Sequence, residues 1–123
     1  MQTEQQIQYM ANLAYTVFAD GEAVKLEDYL FNTMAKQVGA KRPHMQAAVQ
    51  KARASDFSPS FPFSFADSVR NLEDMLVLVL ADKSLAGTEK QLIVQARKQI
   101  DLTETQFKRV VEDAKTRLKQ AAT

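Results

Sequence analysis

A shift of 62 residues lays the second half of this 123-residue chain on the first without a gap. Val17 meets Val79, Ala19 meets Ala81, Asp20 meets Asp82 and Glu27 meets Glu89. Further along, Leu30 meets Leu92, Lys36-Gln37 meets Lys98-Gln99, Val49 meets Val111 and Ala52 meets Ala114. A shared helical period would align apolar positions by itself, but it does not require Asp and Glu at the same offsets. The chain therefore reads as one domain built from two pseudo-repeated units, at about 10–54 and 65–118, joined by a linker at 55–64. Its length suits a single core.

Within each unit the apolar residues recur at i, i+3, i+4 and i+7, the spacing of amphipathic helices. Ile7, Met10, Leu13, Ala14, Val17 and Phe18 mark a first helix over about 3–19, stopped by Asp20-Gly21. Leu26, Leu30, Phe31, Met34 and Val38 mark a second, closed by Gly39, which tolerates positive φ. Pro43 suits the first turn of a third helix, which turns Met45, Ala48, Val49 and Ala52 inward. After the linker, Phe65, Val69, Leu72, Met75, Leu76, Val79 and Leu80 restart the period. The apolar run 75–81 marks this fourth helix as the central one. No other stretch alternates with period two, so a strand there would have no partner. Thr88-x-x-Gln91 and Thr103-x-x-Gln106 are capping boxes opening a fifth and a sixth helix. The expected fold class is all-α: a single bundle of six to seven helices in two three-helix halves.

Composition excludes whole classes of chemistry. The chain has no cysteine and one histidine, His44. Disulfide frameworks, thiolate zinc sites, cysteine nucleophiles and His-rich metal sites are therefore ruled out. A net charge of +1 gives no electrostatic footprint for nucleic acid. The seven-residue apolar run is far short of the roughly 20 residues that cross a bilayer. No secretory or mitochondrial targeting pattern opens the sequence. A cytoplasmic location is the expectation.

Most chemical content lies in the loop between the first two helices of each unit. The first loop reads Ala19-Asp20-Gly21-Glu22-Ala23-Val24-Lys25-Leu26-Glu27. The second reads Ala81-Asp82-Lys83-Ser84-Leu85-Ala86-Gly87-Thr88-Glu89. Each carries Asp-x6-Glu, with Asp where a helix ends and Glu in the first turn of the next, so the two carboxylates can converge. Calcium wants 6–8 oxygens, and magnesium an octahedron completed partly by water. One loop cannot supply that, but two loops brought together offer Asp20, Glu27, Asp82 and Glu89. Glu22 is a fifth candidate, opposite Ser84. A second reading needs no metal. Asp at a loop start makes Asx turns, and Glu in a first turn gains about 0.3–1 kcal/mol from the helix dipole.

These loops resemble the TerB-like family, named for tellurite-resistance protein B, whose A-D-G-x-(apolar)-x-x-x-E loop occurs twice in a duplicated helical fold. Ala19-Asp20-Gly21 with Glu27 matches, as do Ala81-Asp82, Leu85 and Glu89; Lys83 replaces the usual glycine, and Ala23 the apolar loop residue. The resemblance spans about Met10 to Leu118. It implies a Ca2+ or Mg2+ site at the four aligned carboxylates and a non-catalytic role in stress response of the tellurite-resistance type. It also implies a protein partner, membrane-associated in some settings of the family. The competing expectation is a protein-interaction or scaffold module whose acidic loops only cap helices. A magnesium-dependent phosphoryl hydrolase is a weaker third, since neither nucleophile nor phosphate cradle accompanies the carboxylates.

Other features read more plainly. His44 is expected at the surface, and Lys41, Arg42, Lys51 and Arg53 on a solvated helix face. Met10, Met34, Met45 and Met75 fall on core stripes. Ser58-Pro59-Ser60-Phe61-Pro62-Phe63 is extended by its prolines. Its phenylalanines either cap the core or form an apolar lip for a partner.

Overall fold

The computed structural model describes residues 1–18, 25–81 and 87–121. It forms six α-helices and, among the described residues, no strand. They are α1 (Thr3–Phe18), α2 (Lys25–Val38), α3 (Arg42–Ala52), α4 (Phe65–Ala81), α5 (Gly87–Ile100) and α6 (Glu104–Ala121). None of the described helices is long and apolar enough to cross a membrane.

The helix ends follow local chemistry. At α6, the Thr103 backbone N–H donates to Gln106 Oε1 (2.9 Å), and the Gln106 N–H donates to Thr103 Oγ1 (3.1 Å). This is the reciprocal capping box that the sequence spells. At α3 only one arm of such a box forms, the Lys41 backbone N–H donating to His44 Nδ1 at 3.0 Å. The lone histidine is thus engaged as a helix cap. α5 begins at Gly87, one residue ahead of Thr88, a margin within which helix ends are commonly assigned.

α2 ends on Gly39, at φ +76°. The Ala40 N–H donates to Ala35 O (2.8 Å) and the Gly39 N–H to Lys36 O (3.2 Å), the paired closure of a Schellman motif. α5 ends in the same motif without a glycine. Asp101 takes φ +62°, with Leu102 N–H donating to Arg97 O (3.3 Å) and Asp101 N–H to Lys98 O (3.2 Å).

α1 packs against α3, α4 against α6, and α1 against α4 to join the two sets. α4 also meets α5 and α2, which is why its apolar run is covered on most sides. Tyr9, Met10, Leu13, Leu72, Met75 and Leu78 are buried at the centre. Met34 is also buried, whereas Met45 packs on the core from its edge. Two residues on the expected apolar stripes point outward: Phe65 is exposed, and Phe18 lies under the Arg53 guanidinium, 5.0 Å from its ring centroid.

Candidate functional site

Of the five acidic positions singled out by the sequence, Asp20, Glu22 and Asp82 lie outside the described residues. Glu27 and Glu89 fall in the first turns of α2 and α5, and their side chains lie outside the description. Among the described residues, no three acidic or histidine side chains are grouped so as to hold a metal ion.

The described chain concentrates its polar chemistry elsewhere, on the seam where α1 crosses α4. Asn12 is fully buried at its centre. Its Nδ2 donates to Asn71 Oδ1 (2.7 Å) and to the Ser60 carbonyl (2.8 Å). Its Oδ1 accepts from Gln8 Nε2 (2.9 Å) and from the Ser60 N–H (3.3 Å). Asn71 Nδ2 in turn donates to the Tyr9 carbonyl at 3.2 Å. Two buried amides would cost several kcal/mol if left unpaired. Here every bond closes onto the facing helix, the linker or α1 itself, and that fixes how α1 and α4 register.

One turn along the seam, the Tyr9 hydroxyl donates to Asp74 Oδ2. The other carboxylate oxygen of Asp74 accepts from Arg117 Nη1 of α6 at 2.7 Å. The same Nη1 meets Glu73 Oε2 at 2.6 Å. Asp74 is 1% exposed, so its charge is taken from water, and these bonds replace the lost hydration. Burial first, and the Asp74 carboxylate second, push the Tyr9 phenol far above its ordinary range. Burial pulls the Arg117 guanidinium down, but Asp74 and then Glu73 outweigh it and hold the group protonated. With the linker seated on them, Tyr9, Asn12, Asn71 and Asp74 are at most 1% exposed. A phenol held neutral and a carboxylate fully engaged act as a bolt between three helices.

Sequence reasoning passed over this cluster because it read the apolar residues of α1 and α4 and ignored the polar ones. A signal was present. Gln8, Asn12 and Thr16 lie four apart, as do Arg70 and Asp74, the spacing of one helix face. Moreover, Tyr9 and Asn71 stand 62 residues apart, and so do Asn12 and Asp74.

The linker runs against α1, with neither helix nor strand over 57–64. The Tyr15 and Phe57 rings meet with centroids 5.3 Å apart, and Tyr9 and Phe63 at 5.8 Å. Phe61 contacts Phe63 edge-on at 6.5 Å. Gln5 Nε2 donates to the Pro62 carbonyl and Gln99 Nε2 to the Pro59 carbonyl, each at 3.1 Å.

A shallow groove opens between α4 and α6, with Phe65, Val69, Leu102 and Val110 on its walls and Glu73 and Arg109 at its edge. Lys41, Arg42 and Lys51 are exposed, as expected of a solvated helix face.

Comparison with protein-family models, with curated proteins and with solved structures finds no match to the chain.

Proposed function

We propose that this chain is a duplicated helical module of TerB-like type. In this reading it binds Ca2+ or Mg2+ through Asp20, Glu22, Glu27, Asp82 and Glu89. It serves a cytosolic stress response of the tellurite-resistance type as a non-catalytic component that engages another protein. The observation that carries the reading is the coincidence of structural detail at one offset. The starts of α1 and α4, of α2 and α5, and of α3 and α6 are each separated by 62 residues. The left-handed residues Gly39 and Asp101 share that separation, as do both hydrogen bonds of each C-terminal motif. The backbone caps Lys41–His44 and Thr103–Gln106 share it too. Even the seam obeys it: Tyr9 bonds Asp74 while Asn12 bonds Asn71, a reciprocal pairing of the kind a local twofold axis produces. In the sequence, each Asp-x6-Glu stretch falls between the first and second helical segments of its unit.

Calorimetric titration of Ca2+ and Mg2+ into metal-free protein tests the cation. Binding that disappears in Asp20→Asn/Asp82→Asn supports it. An absence of heat, together with an unmoved melting temperature at millimolar ion, leaves the loops as helix caps.

The second reading, an interaction module without metal, draws on the seam itself. α1, α4 and α6 are bolted through Asn12, Asn71, Tyr9, Asp74 and Arg117 with no ion required.

A further inference from the structure

We propose that the groove along α1 that holds the linker is a recognition site for an extended, proline- and phenylalanine-rich peptide of a partner protein. Residues 57–63 of this chain would then be its resident ligand in cis.

The linker is held as a bound peptide is held. Its backbone is read by side-chain amides. Asn12 clasps Ser60 through both the N–H and the carbonyl, Gln99 takes the Pro59 carbonyl and Gln5 the Pro62 carbonyl. The bidentate grip on one residue fixes direction and register, and it does not depend on that residue's side chain. Selectivity comes from the rings. Phe57 sits against Tyr15, and Phe63 against Tyr9. Phe57, Phe61 and Phe63 are only half-buried, and Ser58, Ser60 and Pro62 are exposed, so the segment lies on the bundle. Pro59, whose side is buried, and Pro62 hold the strip extended and lower the entropy lost on docking. Amide donors on carbonyls, aromatic contacts and stiff prolines are together the means by which grooves capture proline-rich segments. The occupant's chemistry is thus displayed by the segment already seated: aromatic residues at the spacing of 57, 61 and 63, with prolines at 59 and 62.

A tethered ligand competes at an effective concentration on the order of millimolar. A free peptide therefore gains access only where the cis segment is weakened, and its apparent affinity falls with the fraction of open groove. This site is independent of the acidic loops, so a failed cation titration leaves it standing.

The test uses the full chain and a fluorescein-labelled synthetic peptide of residues 55–64, followed by fluorescence anisotropy. Phe61→Ser/Phe63→Ser loosens the cis segment without touching Asn12, Gln5 or Gln99. It should bind the peptide at least about 10-fold more tightly than the unaltered protein. Adding Gln5→Ala/Gln99→Ala should abolish the gain, and a peptide with serine in place of its last two phenylalanines should not bind. A folded loosened variant that ignores the peptide, or that binds both peptides equally, overturns the proposal. Should that variant fail to fold, the unaltered protein is titrated with unlabelled peptide to a few times the tethered concentration, about 5 mM. Shifted side-chain amide resonances of Asn12 and Gln99 then support the site, and unmoved ones overturn it. A concentration-dependent dimer of the unaltered protein, in which linkers exchange between copies, would make a second copy the occupant and also overturn it.

Discussion

Tyr9→Phe removes one oxygen from the seam and keeps the ring, so its effect isolates the bond to Asp74. The ring is fully buried against Phe63, and phenylalanine fills the same space. What is lost is a hydrogen bond to a carboxylate that water cannot reach, worth about 1.5–3 kcal/mol. For a chain of this size that lowers the melting temperature by about 6–12 °C at neutral pH. The pH dependence gives a sharper signature. Burial and Asp74 hold the folded phenol well above the ordinary value, so the unfolded chain releases its proton near pH 10 while the folded chain keeps it. Above pH 10 the folded state binds more protons than the unfolded one. The stability of the unaltered protein then falls by up to about 1.4 kcal/mol per pH unit from this group. Phenylalanine has no proton to hold, so the variant lacks that slope. Every other residue is the same in the two proteins, so the comparison isolates position 9. Urea denaturation of the pair from pH 7 to 11.5 should show a gap that is constant below about pH 9.5 and narrows above pH 10. Two curves that stay parallel to pH 11.5 would refute the closed, Asp74-bound phenol.

Arg117→Met leaves Asp74 buried with Tyr9 alone and should cost about 2–4 kcal/mol by urea denaturation. Glu73→Gln, on a carboxylate nearer the surface, should cost under about 1 kcal/mol; equal losses would place the charge demand at Glu73 instead. The two left-handed helix ends make opposite predictions. Gly39→Ala should destabilise by about 1 kcal/mol, because a Cβ at φ +76° also meets Gln6 Nε2 at 3.2 Å. Asp101→Gly should stabilise by up to about 1 kcal/mol, as relief of φ +62° outweighs the freer unfolded chain. Thermal denaturation reads both, and matching signs would show that backbone strain does not govern these ends.

What the sequence made legible was local. Thr103 and Gln106 sit three apart and cap each other, Gly39 ends α2, and Pro43 opens α3, because each signal and its partner lie within one turn of chain. What it concealed was the choice of distant partners. Periodicity marks the apolar stripe of α4, but it does not reveal that Phe65 stays outside while Asp74 goes in. That depends on Tyr9, 65 residues away, and on Arg117, 43 residues away. At the end of α5, Asp101 takes the left-handed place that Gly39 takes after α2, and Leu102 beyond it is buried in the core. The sequence leaves Phe61 and Phe63 either to cap the core or to form a lip, and both pack half-buried against it. The amides that hold the strip, Gln5, Asn12 and Gln99, belong to two different helices, and no local pattern joins them.

On the duplicated reading, the differences between the halves carry as much information as the matches. Where the first half has Ala11, Ala40 and Ala48, all buried, the second has Glu73, Leu102 and Val110 at the aligned positions. Small residues let α3 lie close on α1. The larger ones stand between α6 and α4, and the groove walled by Phe65, Val69, Leu102 and Val110 opens there. The buried polar position persists through this change, as Asn12 in one half and Asp74 in the other, and each is served by the chain beyond the aligned alanines Ala52 and Ala114 of its own half. After α3 the chain leaves the helix, and Ser60 returns to clasp Asn12. The aligned stretch after Ala114 continues as helix, and Arg117 reaches Asp74. Here the neutral amide is satisfied by a backbone, whereas the buried carboxylate is paired with a cation. The identity of residue 12 or 74 and the path of the chain behind it therefore change together, and this turned one half's linker into a peptide-like strip and the other's into a helical strut.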